Sequence, residues 1–158
     1  MKLNLTNDQI RNGMIVEASA GTGKTYAVAA LVARELALRD DLRIGNILIT
    51  TFTRNAAVEL RHRIRQRLIA TAADLRGIGS QANDAVTDLL FDIDEAERLK
   101  RASRLERSLV EFDTATISTI HGVCSRVLRT AGVDLDTVVD AEETNRIVSE
   151  VVNDEIVS

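Results

Sequence analysis

A chain of 158 residues with 45% hydrophobic and 28% charged side chains has the composition of one soluble globular domain, which excludes disorder of the whole chain. No apolar run approaches the ~18 residues of a membrane span, and the N-terminus, MKLNLTNDQ, lacks the apolar core of a secretory leader. The net charge of −4 conceals an asymmetry: residues 133–158 hold eight acids against Arg146 alone, so the rest carries +3 and a nucleic-acid partner is not excluded. A solvated helix face is the plainer reading of that acidic tail. A single cysteine, Cys124, rules out an internal disulfide, so a reducing cytoplasm is the expected compartment.

In chain order, residues 14–18 (MIVEA) read as a short buried strand. Lys24 to about Leu38 reads as a helix, with Ala27, Val28, Leu31, Val32 and Leu36 apolar at helical spacing. Asp40-Asp41 and Gly45-Asn46 break that pattern. Ile47-Leu48-Ile49 then opens a second strand whose continuous apolar run suits a parallel sheet covered on both faces. Residues 55–69 return to helix, with Ala57, Leu60, Ile64 and Leu68 on one side and arginines on the other. This β-α-β-α alternation predicts a parallel α/β sheet with right-handed crossovers. Gly77-Ile78-Gly79-Ser80 reads as a joint. Two polar helices follow, about 82–91 and about 95–110, the second with Leu99, Ala102, Leu105 and Leu109 along one stripe. The β-branched run Thr114–Ser118 predicts a third strand, feeding a helix at about 121–130. Beyond Gly132 runs an acidic amphipathic segment, and VVNDEIVS at the end carries neither proline nor a capping glycine, as in a chain cut rather than finished.

The stretch EASAGTGKT, residues 17–25, sits between the first strand and the first helix. A phosphate-binding loop needs backbone N–H groups converging on anionic oxygens, and a helix N-terminus supplies them with a favourable dipole. Gly21 and Gly23 permit positive φ and close approach, Lys24 brings a charge to the β- and γ-phosphates, and the Thr25 hydroxyl suits Mg²⁺. The position where the usual pattern has its first glycine holds Ala18. The loop predicts nucleotide binding but does not say which class of enzyme uses it.

Two further stretches stand at strand ends, where ligand groups collect in parallel sheets. In TTFTRNAAVELRHRIRQRL (50–68), Thr51, Phe52, Thr53 and Arg54 follow the second strand. An aromatic with hydroxyls and arginines such as Arg61 and Arg65 forms a stacking and phosphate-binding surface for single-stranded nucleic acid. The alternative is a core Phe52 with solvated arginines. In TISTIHGVCSRVLR (116–129), Thr119 and His121 stand where strand becomes helix, placed either for an anion or as a helix cap. Cys124 reads as packing, having no partner pattern for a nucleophile.

In order and spacing, these three stretches resemble the first motifs of the superfamily 1 DNA helicases of the UvrD/Rep type, and within them the RecB-like branch, exodeoxyribonuclease V beta subunits. EASAGTGKT resembles that branch's phosphate loop, whose first position is commonly alanine. TFTRNAAVELRHRI resembles the single-stranded-DNA contact motif Ia, and TIHGVCSRVLR the DNA-contact motif after it. The resemblance implies ATP and Mg²⁺ as cofactors, with Ala18, Ser19, Ala20, Gly21, Thr22, Gly23, Lys24, Thr25 and Tyr26 around the nucleotide, Lys24 catalytic, and Gln9 in LTNDQ reading adenine. It implies DNA contacts at Thr51, Phe52, Thr53, Arg54, Arg61, Thr119 and His121. Two departures stand out: Val123 occupies a usually aromatic position, and Arg54-Asn55 replaces commoner pairs.

The fold expected on that resemblance is a P-loop, RecA-like α/β parallel sheet, incomplete, with an inserted helical subdomain. Residues 1–75 would form the first part of motor domain 1A, 76–112 a 1B-like helical insertion, and 113–131 a return to 1A. Residues 132–158 would begin a further 1B-like region. The parent would be an ATP-dependent DNA helicase and exonuclease acting in double-strand-break recombination with RecC- and RecD-like subunits, without a membrane. Hydrolysis needs a carboxylate to hold Mg²⁺ and a residue to orient water, which the resemblance implies come from an Asp-Glu pair ending a strand. Asp92/Asp94-Glu95 and Asp154-Glu155 follow no apolar strand, so this chain alone is expected to bind nucleotide without turning it over. Rival readings are an AddA- or UvrD-type helicase fragment, a small P-loop kinase, and an interaction fragment with a vestigial loop.

Overall fold

The computed structural model describes residues 23–79 and 84–132. The expected strand at 14–18, the loop residues Ala18–Thr22, Gln9 and the acidic tail from 133 lie outside them. The chain divides into two compact units, one up to Thr119 and one from Ile120.

In the first unit, α1 spans Lys24–Leu38 and buries a face of small residues, Ala29, Ala30, Ala33 and Ala37, beside Val32 and Leu36. Alanine is the strongest helix former and lets neighbouring helices approach closely. Strand β1, Leu48–Thr51, leads into α2, Arg54–Leu75. Helix α2 buries Ala57, Leu60, Ile64, Leu68, Ala72 and Leu75 at three- and four-residue spacing. It is longer than the 55–69 expected, because the alanine-rich segment 70–75 keeps its helical preference and buries Thr71, Ala72 and Leu75. It stops where Gly77 adopts φ +75°, with Gly77 N–H bonded to Asp74 C=O and Ile78 N–H to Ala73 C=O. This pairing satisfies carbonyls that the helix end would otherwise leave open.

Helix α3, Ala85–Phe91, and α4, Glu95–Val110, follow, capped by the carboxylates of Asp84 and Asp94. The arginines of α4 close the ends of its neighbours. Arg104 Nη1 donates to Ala37 C=O at the end of α1, and Arg101 Nη1 donates to Leu89 and Leu90 C=O near the end of α3. Helix α2 is central, packing against α1, α3, α4 and both strands.

Strand β2, Thr116–Thr119, pairs parallel to β1 in the register Leu48↔Thr116, Ile49↔Ile117, Thr50↔Ser118 and Thr51↔Thr119. It starts two residues later than expected, because Phe112–Thr114 wind into a 3₁₀ turn that buries the Phe112 ring. Strand β1 holds no buried residue and Leu48 is 57% exposed, so its apolar run is not covered on both faces among the described residues. The helix α2 packs on the sheet, where Ile117 is buried. The described architecture is mostly helical α/β with a two-stranded parallel sheet.

The second unit, described by itself, contributes α5, Ile120–Thr130. None of its residues is buried, and Cys124 is exposed. The expectation that Cys124 packs is therefore corrected: the helical stripe of Ile120, Val123 and Val127 beside it is itself not buried.

Candidate nucleotide and nucleic-acid interface

The described end of EASAGTGKT is built on one backbone feature. Gly23 takes φ +84°, the left-handed region, and caps α1 by accepting from the Ala27 N–H at 2.9 Å. Among the described residues no atom lies within 4 Å of where a Cβ would stand, and the positive φ is itself a conformation that favours glycine. Lys24, Thr25 and Tyr26 form the first turn, whose amides point out of the helix end. That turn contains no acid, so nothing on it offsets the positive end of the helix dipole. Lys24 is exposed and Thr25 half-buried. This set suits a polyphosphate: a charge, a hydroxyl and a helix N-terminus close together. Among the described residues no group of three His, Cys, Asp or Glu could hold a metal unaided.

Tyr26 is 46% exposed, and the guanidinium of Arg67, from α2, lies over its ring at 5.6 Å. Arg67 is held in turn by Asp84. Nη1 and Nη2 each donate to one carboxylate oxygen at 2.8 Å, and Nη2 also reaches Thr87 Oγ1 at 3.2 Å. Burial works against both charges. The hydrogen bonds and opposite charge outweigh it, so Arg67 stays above its ordinary pKa and Asp84 below the usual carboxylate range. Sequence reading missed this cluster. The helix was expected from about residue 82, which put Asp84 inside it rather than at its cap, and a partner 17 residues away leaves no local signal.

The second region is the carboxyl edge of the sheet. The register Thr51↔Thr119 sets both strand ends side by side. Thr51 Oγ1 donates to Thr53 C=O at 2.9 Å, and Thr53 Oγ1 accepts from Ala56 N–H at 3.2 Å, capping α2. Between them Phe52 is 92% exposed, so it is not a core residue. Arg54 is exposed at the start of α2, and Thr119 is half-buried at the end of β2. His121 belongs to the second unit, exposed in the first turn of α5.

The arginine face of α2 is more committed than a solvated stripe. Arg61 is half-buried, donates from Nη2 to Ala115 C=O at 3.1 Å and lies 5.9 Å from the Phe112 centroid. Arg65 lies 5.4 Å from the same ring. Arg63 pairs with Glu59 one turn back, where both side chains are exposed and the gain is about 0.3–0.5 kcal/mol. The acidic residues weighed for the acidic pair of hydrolysis stand at helix ends: Asp94 caps α4 by accepting from Glu97 N–H, and Asp92 ends α3. Asp154 and Glu155 lie outside the described residues.

The family described as UvrD/REP helicase N-terminal domain matches residues 3–157. RecBCD enzyme subunit RecB of Mycobacterium tuberculosis (strain ATCC 25618 / H37Rv) is 41% identical over 143 residues, covering 89% of this chain and 13% of that protein. The same subunit of Escherichia coli (strain K12) is 38% identical over 122 residues, 72% of this chain and 10% of that protein. An ATP-dependent helicase/nuclease subunit of Lactobacillus delbrueckii subsp. bulgaricus is 35% identical over 135 residues, 82% of this chain and 9% of that protein. The chain thus spans about an eighth or less of the length of these relatives.

Proposed function

The chain belongs to the UvrD/REP helicase N-terminal domain family, and we propose on that footing that it is the ATP-binding, single-stranded-DNA-contacting part of a RecB-like helicase. The parent reaction couples ATP hydrolysis to movement along one DNA strand, opening duplex ends for recombinational repair in the company of RecC- and RecD-like subunits. The observation that carries the reading is Gly23 at φ +84° setting Lys24 and Thr25 on the first turn of α1, directly after the EASAGT segment.

In this reading the amides of Ala18, Ser19, Ala20, Gly21, Thr22 and Gly23 cradle the phosphates, and Lys24 neutralises the β- and γ-phosphate charge. Thr25 ligates Mg²⁺, Tyr26 borders the nucleotide, and Gln9 reads its base. Mg²⁺ supplies charge neutralisation at the phosphates. Phe52 offers a stacking face to a DNA base, with Thr51, Thr53, Arg54 and Thr119 hydrogen-bonding to the backbone at the same sheet edge. His121 is a further phosphate contact. Arg61 adds a phosphate contact in this reading, while its Nη2 also donates to Ala115 C=O and its guanidinium lies 5.9 Å from the Phe112 centroid.

The test is a titration of the 158-residue chain with a fluorescent ATP analogue and Mg²⁺ beside Lys24→Ala. Saturable binding that the variant loses is the expected result, with no steady turnover by either protein. Equal binding by both would overturn the assignment of the phosphate loop, and turnover lost in Lys24→Ala would overturn the division of labour with the rest of the parent.

A further inference from the structure

Arg67 falls within the stretch 50–68 read as a nucleic-acid surface, yet with Asp84 and Thr87 it forms a cluster that ends on the side chain next to Thr25. Arg67 and Asp84 are only 11% and 16% exposed. Their two-pronged bond fixes the guanidinium plane, which a single hydrogen bond would leave free to turn. Asp84 is itself fixed. Its Oδ1 accepts from the N–H groups of Val86 and Thr87, and its Oδ2 from the Thr87 hydroxyl. The cation therefore has no freedom to follow the Tyr26 ring; the ring must settle against the cation.

We propose that Arg67, locked by Asp84 and Thr87, is a positioning residue that sets the plane of the Tyr26 ring in the first turn of α1. It thereby sets how a flat group attached to the bound phosphates meets α1. The consequence for ligands rests on the phosphate-loop reading above, whereas the ordering of the ring does not. The device joins three helices: the start of α1, the middle of α2 and the N-cap of α3. A nucleoside triphosphate gains from it, and a bare polyphosphate does not.

Tyr26 is the chain's one tyrosine and there is no tryptophan, so intrinsic emission reports this ring alone. The anisotropy of that emission, measured without ligand, is compared among wild type, Arg67→Met, Arg67→Lys and Asp84→Asn. Asp84→Asn leaves both ring and guanidinium in place, and Arg67→Lys keeps the charge while losing the fork. Lower anisotropy in all three, with circular dichroism unchanged for at least Arg67→Lys, is expected. Anisotropy equal to wild type in Arg67→Lys and Asp84→Asn would overturn the proposal.

Competition by ATP and by inorganic tripolyphosphate against the fluorescent analogue supplies the second readout. Arg67→Lys should weaken ATP about three- to tenfold, the scale of one aromatic contact, and leave tripolyphosphate unchanged. Equal weakening of both ligands would reduce Arg67 to a general support of the fold and overturn the positioning role. If wild type binds neither ligand, the phosphate-loop reading fails while the emission comparison still decides whether Arg67 orders the ring.

Discussion

Phe112 tests how the segment entering β2 is held to α2. Its ring is 2% exposed in the turn between α4 and β2, with Arg61 and Arg65 at 5.9 and 5.4 Å from its centroid. Replacing it by leucine keeps an apolar side chain but removes the ring. Truncating a buried phenylalanine to alanine costs about 3–5 kcal/mol, and a near-volume-conserving swap costs under about 1.5. Two partly solvated cation–ring contacts add about 0.5–1 kcal/mol each. Phe112→Leu should therefore cost about 2–3 kcal/mol by urea denaturation followed by circular dichroism. The decisive quantity is a double-mutant cycle with Arg65→Met, because Arg65 is exposed and ties to the ring, whereas Arg61 also bonds Ala115 C=O. The coupling should be about 0.5–1 kcal/mol. A coupling of zero beside an unchanged cost for Phe112→Leu would mean that the ring merely fills space, and the cation–ring account would be wrong.

Three further outcomes follow from the same geometry. Because Asp84 is held below the ordinary carboxylate range, its pairing stabilises the fold fully above the unfolded value of about 3.9, and that stability is lost as pH falls through the folded value. Urea midpoints of wild type and Asp84→Asn should differ by a constant amount between about pH 6 and 8 and converge in acid; a gap independent of pH would remove the ion pair from the account. Gly77→Ala, at φ +75° with no described atom within 4 Å of the added Cβ, should cost about 1 kcal/mol. Gly79→Ala should cost more, since its Cβ would meet the Asp74 amide nitrogen at 2.7 Å, and equal melting shifts for the two would contradict this close approach. Phe52→Ala should leave stability within about 0.5 kcal/mol of wild type, the ring being exposed, while weakening oligo-dT binding by about 1–3 kcal/mol. Unchanged affinity for the oligonucleotide would remove Phe52 from the DNA surface.

Where the sequence was read well, the information was local. Helix α1 spans Lys24–Leu38 as its apolar spacing predicts, because alanine-rich periodicity and a positive-φ glycine act within a few residues of each other. The stop of α2 was visible as a glycine joint for the same reason, although its last turns were not, since the burial that extends them comes from neighbouring helices. The start of β2 was misplaced because Phe112, just ahead of the β-branched run, goes to the core and Phe112–Thr114 wind into a 3₁₀ turn. Composition could not decide Phe52 between core and display. The decision came from position: it falls between the last residue of β1 and the cap of α2, where the backbone leaves the sheet.

The arginines of α2 carry the broadest lesson, because one residue type at one spacing serves four ends. Arg63 closes a turn with Glu59, Arg61 and Arg65 flank Phe112, and Arg67 reaches Asp84 and Tyr26. A guanidinium can do each of these because its planar fork bonds carboxylate or carbonyl oxygens edge-on and lies over a ring face-on. From the sequence these arginines formed one basic face facing solvent or DNA. In the fold, α2 uses them as ties: Arg61 to the segment entering β2, whose far end stands beside Thr51, and Arg67 to the residue following Thr25. One helix thereby sets the background for both the phosphate-loop end and the strand-end surface. Changes along its arginine face should accordingly be felt at the two sites through geometry as well as through charge.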